Sequence, residues 1–138
     1  MRSLLFMCIV LTMLGCAGHN NMSGKLKTLN GAWLPIRQEM GGKSLPSMIY
    51  EKQQLVIAGL QFTLTAESID KGDLQYKDGK MDIYGRVGVN AGKHFMAIYT
   101  LEKDQLTICY NLAGNSYPTS FETKAGTILF LVVYKKLK

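Results

Sequence analysis

Asp73-Leu74-Gln75-Tyr76-Lys77 and Lys80-Met81-Asp82-Ile83-Tyr84-Gly85-Arg86-Val87 are two strand-like runs joined by Asp78-Gly79. In the first, Leu74 and Tyr76 alternate with charged or polar neighbours, the period of a strand with one buried and one wet face. Asp-Gly suits a two-residue hairpin turn, whose central positions both take positive φ. One hairpin therefore sits in the middle of the chain.

The same grammar extends in both directions. Upstream, Gly31 to Met40, Gln54 to Ala58 and Gln61 to Ala66 read as strands, the last two joined at Gly59-Leu60, with Phe62 and Leu64 alternating against Thr63 and Thr65. Downstream, Phe95 to Leu101 and Gln105 to Asn111 flank Glu102-Lys103-Asp104, and Thr127 to Lys135 closes the series. Turn residues recur every 8 to 12 positions, the spacing of an antiparallel barrel or sandwich. Ile128-Leu129-Phe130-Leu131-Val132-Val133 is apolar on both faces, so the last strand is expected to be covered on both sides. An open meander would leave two bare edges; pairing the first strand with the last removes them and favours a barrel. Between strands one and two, Gly41-Gly42 turns the chain into Ser44 to Glu51, which reads as a short helix with Ser44 as cap and Pro46 in its first turn. The expected fold is all-β, a small antiparallel eight-stranded barrel with that one helix.

Three stretches carry a resemblance: Leu29-Asn30-Gly31-Ala32-Trp33 with Gly42-Lys43-Ser44-Leu45-Pro46; Ile98-Tyr99-Thr100-Leu101 with Asp104-Gln105-Leu106-Thr107-Ile108-Cys109; and Pro118-Thr119-Ser120-Phe121 with Ile128 to Lys135. Together, over residues 29 to 136, they resemble an uncharacterised lipocalin-like domain family abundant in planctomycetes. The resemblance implies a short-stranded antiparallel barrel, often exported, and implies no activity. Gly31-x-Trp33 is also similar to the motif that opens lipocalins. There the Trp packs across the closed end against a basic residue of the last strand, a part Lys135 or Lys136 would take here.

The start of the chain resembles a bacterial lipoprotein leader: Arg2, an apolar run from Leu4 to Leu14 too short to span a bilayer, then Gly15-Cys16. Residues 1–15 are read as a signal peptide and Cys16 as the lipidated residue. Residues 16–28 are read as a flexible tether, since their small polar residues show no apolar period. The domain then occupies residues 29–138. The expected address is the cell envelope, on the outer membrane, because Ala17 is not the Asp associated with inner-membrane retention. Of the 16 basic residues only Arg2 falls in the leader, leaving 15 against 10 acidic ones, a moderate and dispersed excess. Lys135, Lys136 and Lys138 could rest on anionic headgroups, although solvated ends are the simpler reading. Export argues against a nucleic-acid partner.

Chemistry is sparse. Cys109 stands in an apolar strand, where a lone Cys acts as a small hydrophobe, and no second cysteine remains in the domain to pair with it. His19 lies in the tether and His94 beside a loop, so neither a metal site nor a cofactor is expected. The pairs Asp70 and Asp73, and Asp78 and Asp82, fall in or near turns, where Asp solvates the backbone. No serine has a nucleophile-elbow setting, and no glycine run precedes a phosphate-binding helix. A non-enzymatic module, monomeric and tethered through its lipid, is the leading expectation. Its candidate ligand residues are Phe62, Tyr76, Tyr84, Phe95, Tyr99 and Tyr110, which could edge a pocket for a small apolar molecule or an envelope component. Strands this short favour an interior filled by side chains over a hollow one. The alternative is a protein-interaction or inhibitor module acting on a protein or glycan through its end loops, with Asn115, Ser116 and Tyr117 as contacts.

Overall fold

Turn chemistry sets the strand order. The computed structural model describes residues 29–138, in which the strands are β1 (Gly31–Met40), β2 (Lys43–Ser44), β3 (Gln54–Ala58), β4 (Gln61–Thr65), β5 (Ile69–Lys77), β6 (Lys80–Val87), β7 (His94–Glu102), β8 (Gln105–Asn111) and β9 (Leu129–Lys136). The expected signal peptide, lipidation at Cys16 and tether fall on residues 1–28, outside the described residues. From β3 to β9 each strand pairs antiparallel with the next, and Asp78-Gly79 makes the turn expected of it. β1 pairs with β3 through Gly31–Trp33 and with β9 from Trp33 to Met40, so the sheet closes into an eight-stranded antiparallel barrel. The two-residue β2 is a spur folded back on the end of β1.

Two departures from the sequence reading have local causes. Gly41 and Gly42 both take positive φ, 54° and 81°, which doubles the chain back so that Lys43 and Ser44 pair with Met40 and Glu39. Ser44 is thus in a strand rather than at a helix cap. The helix expected over 44–51 shrinks to a single 3-10 turn, Ser47–Ile49, entered through an extended Pro46. The second departure is β5, which starts at Ile69, four residues before the expected Asp73.

Registers separate two ends. The turns at Gly59-Leu60, Asp78-Gly79 and Lys103-Asp104 gather at one, with the start of β1 and the end of β9. Trp33 plugs this end: it is fully buried, and its indole N–H donates to the Leu29 carbonyl at 2.9 Å. Lys136 Nζ lies 5.4 Å from the ring centroid, a cation–π distance. The last-strand base is therefore Lys136, whereas Lys135 is exposed.

Leu131 to Tyr134 are all buried, as expected of a strand covered on both faces. Tyr134 and Val132 face inward opposite Leu106 and Ile108, so by alternation Leu131 and its partner Cys109 face outward. Their outer cover is a strap, residues 112–128, pinned on both sides of them. Tyr117 donates its hydroxyl to Asp82 on β6 at 2.5 Å, and Thr123 donates to Glu39 on β1 at 2.6 Å while accepting the Gly42 N–H at 2.8 Å. Cys109 has no exposed surface, and burial, reinforced by the Glu39 carboxylate, pushes its thiol pKa up. Both effects suppress thiolate reactivity. Cys109 is expected to escape alkylation in the native full-length protein and to be modified once denaturant is added, as peptide mapping by mass spectrometry would show. Rapid native labelling would mean the strap does not cover it.

The strap also has an acid-sensitive anchor. The Thr123 hydrogen bond, with Arg37 at 2.7 Å adding a second bond and its charge, holds the Glu39 carboxyl below its ordinary 4.5. A carboxyl whose pKa is lowered by folding contributes its stability above the unfolded-state value and loses it as pH falls through the folded one. Glu39→Gln should therefore flatten the acid limb of the stability-versus-pH curve below about pH 4.5. An unchanged acid limb in urea titrations at several pH values would remove Glu39 as the cause.

Candidate functional site

Side-chain volume is distributed unevenly along the barrel axis. Bulk gathers near the plug, where Trp33, Met81, Leu106, Tyr76 and Tyr99 pack into the core. Toward the other end the inward positions of β1, β5 and β6 carry Gln38, Asp70, Gly72 and Gly85. Fewer atoms leave space. A cavity of about 130 Å³ opens there, bounded mainly by Leu55, Ile57, Phe62, Leu64, Leu74, Met81, Ile83, Phe95, Ile108, Leu112 and Phe130. The interior is thus filled at the plug and hollow at the mouth, where a filled core was favoured on strand length alone.

Polar groups enter the cavity wall in three places. Gln38, buried, donates its side-chain amide to Gln53 Oε1 at 2.8 Å, and Gln53 is itself held by donation to the Ile49 carbonyl at the end of the 3-10 turn. Tyr110 and Tyr134 place their hydroxyls 3.4 Å apart. Burial pushes Tyr110 up to about 12, partly offset by the Tyr134 hydrogen bond, and Tyr134 well above 10.0, so both rings are neutral phenols. The third group is Asp70 on β5, only 6% exposed, whose Oδ1 accepts the backbone N–H of Asn90 at 3.1 Å.

The loop that supplies Asn90 forms a roof. Gly85 donates its N–H to the Lys93 carbonyl at 2.9 Å and accepts that of Gly92 at 3.0 Å, which folds residues 88–93 back over the end of β6. A Cβ at Gly85 would lie 1.9 Å from the Asn90 carbonyl oxygen, so only glycine leaves room for this approach.

Of the six aromatic candidates, Phe62, Phe95 and Tyr110 line the cavity. Tyr76 and Tyr99 face inward but meet edge to face near the plug, 5.7 Å apart, and contribute core rather than wall. Tyr84 corrects the expectation. β6 turns Met81, Ile83 and Gly85 inward, so Tyr84 falls on the outer face, stacked on His94 at 4.5 Å. The alternation of Met81 and Ile83 was the available signal. Sequence reasoning passed over Gln38, Gln53 and Tyr134, took Asn90 for a loop-tip residue, and placed Asp70 in or near a turn. Asp70 is instead a strand residue facing the cavity, two positions before Gly72 and four before Leu74. Asp73 does sit outside, paired with Arg86 at 2.7 Å.

His94, expected beside a loop, opens β7 and has partners. Its Nε2 lies 2.6 Å from Asp82 Oδ1, while Asp82 Oδ2 takes the Tyr117 hydroxyl. One carboxylate oxygen thus holds His94 at the start of β7 and the other holds the strap. Asn115 and Ser116 are engaged too, since Asn111 Nδ2 donates to Asn115 Oδ1 at 3.0 Å and to the Ser116 carbonyl at 3.0 Å. Among the described residues no three His, Cys, Asp or Glu side chains gather as a metal site would require.

No protein-family profile, curated protein or solved structure matches this chain.

Proposed function

We propose that this chain is a non-enzymatic binding module that admits a small, largely apolar molecule at the open end of its barrel, while a lipid on Cys16 tethers it to the envelope, on the outer membrane. The cavity carries this reading: about 130 Å³ of space, walled by aliphatic and aromatic side chains and relieved by a few fixed polar groups, is the ordinary anatomy of a small-ligand site. A cavity of about 150 Å³ takes up benzene, so the enclosed part of the ligand has on the order of six to ten non-hydrogen atoms. The tether rests on the lipobox-like run Leu11-Thr12-Met13-Leu14-Gly15-Cys16. The Trp33–Lys136 contact supports the likeness to lipocalin-type barrels, which suits a ligand-holding role.

The alternative, contact with a protein or glycan through the end loops, is less well supported, because side-chain groups of Asn115 and Tyr117 already serve the strap. Native mass spectrometry of the full-length protein, extracted from its own envelope in mild detergent, is the test. A small one-to-one adduct that vanishes on denaturation is expected. A clean ligand-free mass across extraction conditions would shift the function to the outer surface.

A further inference from the structure

Resting on that reading, we infer that the ligand is a protonated amine, a small aryl or alkyl ammonium whose cationic head sits on Asp70 and whose apolar body lies between Phe62 and Phe95. Asp70 is buried to 6% exposure, faces inward and forms part of the cavity wall. Its Oδ1 is positioned by the Asn90 backbone N–H, and a carboxylate can accept several further hydrogen bonds. Among the described residues no Lys, Arg or His nitrogen lies within 4.0 Å of it; the ion pairs made by Arg37, Arg86 and His94 all involve other carboxylates.

The other polar groups on the wall are amides and phenols, and the two phenols are held neutral by burial. Asp70 is therefore the one formally ionisable carboxyl among the lining residues, and the cavity carries a single negative charge when it is ionised. A buried carboxylate is costly without a compensating cation, and a charge-assisted N–H···O⁻ bond from a ligand would supply one. A carboxylate ligand would meet like charge, and a neutral alcohol would leave Asp70 uncompensated. Charge selects the class, and volume selects the size.

The probes are benzylamine, benzyl alcohol and benzoate, which share one ring and differ in the charge of the head group. They are titrated into the full-length protein in mild detergent by calorimetry at neutral pH. Benzylamine is expected to bind about tenfold or more tightly than benzyl alcohol, and benzoate most weakly, as charged hydrogen bonds usually discriminate. Asp70→Asn, which keeps the shape and can still accept the Asn90 N–H, should reduce benzylamine affinity about tenfold or more while leaving benzyl alcohol unchanged. Benzyl alcohol or benzoate matching benzylamine in the parent protein would overturn the amine assignment and leave the cavity reading intact. That comparison needs no variant, so it stands even where Asp70→Asn folds poorly. Unchanged benzylamine affinity in a folded Asp70→Asn would also overturn it. Binding of none of the three probes would remove the amine assignment together with the cavity as a binding site.

Discussion

Trp33→Ala is expected to lower the stability of the barrel by about 3–5 kcal/mol, the usual cost of removing a fully buried Trp or Phe. Domains of this size are stable by only about 5–15 kcal/mol, so the loss runs from about a fifth of the total to all of it. Three consequences add in the same place. The plug at the closed end leaves a void, the Leu29 carbonyl loses its indole donor, and Lys136 loses the ring beneath its ammonium. Trp33→Phe separates them: it keeps an aromatic body, gives up the N–H, and should cost less, about 1–2 kcal/mol. Because Trp33 is the sole tryptophan, urea unfolding has to be followed by far-ultraviolet circular dichroism rather than by indole fluorescence. A midpoint equal to the parent's for Trp33→Ala would mean that the closed end is held by something other than the plug.

Gly85→Ala strikes the opposite end through a backbone clash. The added methyl would sit 1.9 Å from the Asn90 carbonyl oxygen and 2.6 Å from its carbon, and neither atom is the movable tip of a side chain. The roof loop must move away, with loss of the bonds from Gly92 to Gly85, from Gly85 to Lys93 and from Asn90 to Asp70. Overpacking and lost hydrogen bonds together suggest a cost on the order of 2–3 kcal/mol. The effect should be local. Amide hydrogen exchange at Ala91, Gly92 and Lys93 is expected to accelerate by tenfold or more, on the order of 1.4 kcal/mol, while Leu106 and Ile108 in the core change far less. Uniform acceleration across the domain would show that the roof and the barrel open as one unit.

Much of the barrel was legible because its turns carry their own chemistry. Asp78-Gly79 and Glu102-Lys103-Asp104 fixed two hairpins, and the run through Val132 and Val133 announced a strand covered on both faces. Reading failed where an inward position is not apolar. At the start of β5 the inward residues are Asp70 and Gly72, so the period that identifies a strand is absent, and the strand seemed to begin at Asp73. That same interruption is the candidate site: a carboxylate where a core residue would stand, and glycine where a side chain would fill. Departures from pattern concentrate where structure serves something other than packing. The His94–Asp82–Tyr117 cluster was invisible for a different reason, since it joins β6, β7 and the strap across separations that only the closed barrel defines.

The closing seam between β1 and β9 has a kinetic meaning. Trp33 pairs with Lys136, and Met40 with Phe130, so the domain's first strand completes its hydrogen bonding only against its last. Contacts this distant along the chain make folding slow, in the range of milliseconds to seconds for all-β domains. As the polypeptide is made, every hairpin up to β8 can form while β1 still shows a bare edge. The nascent meander is a sticky intermediate until β9 arrives, and a chain halted before Leu129 would give aggregates rather than a weakened barrel.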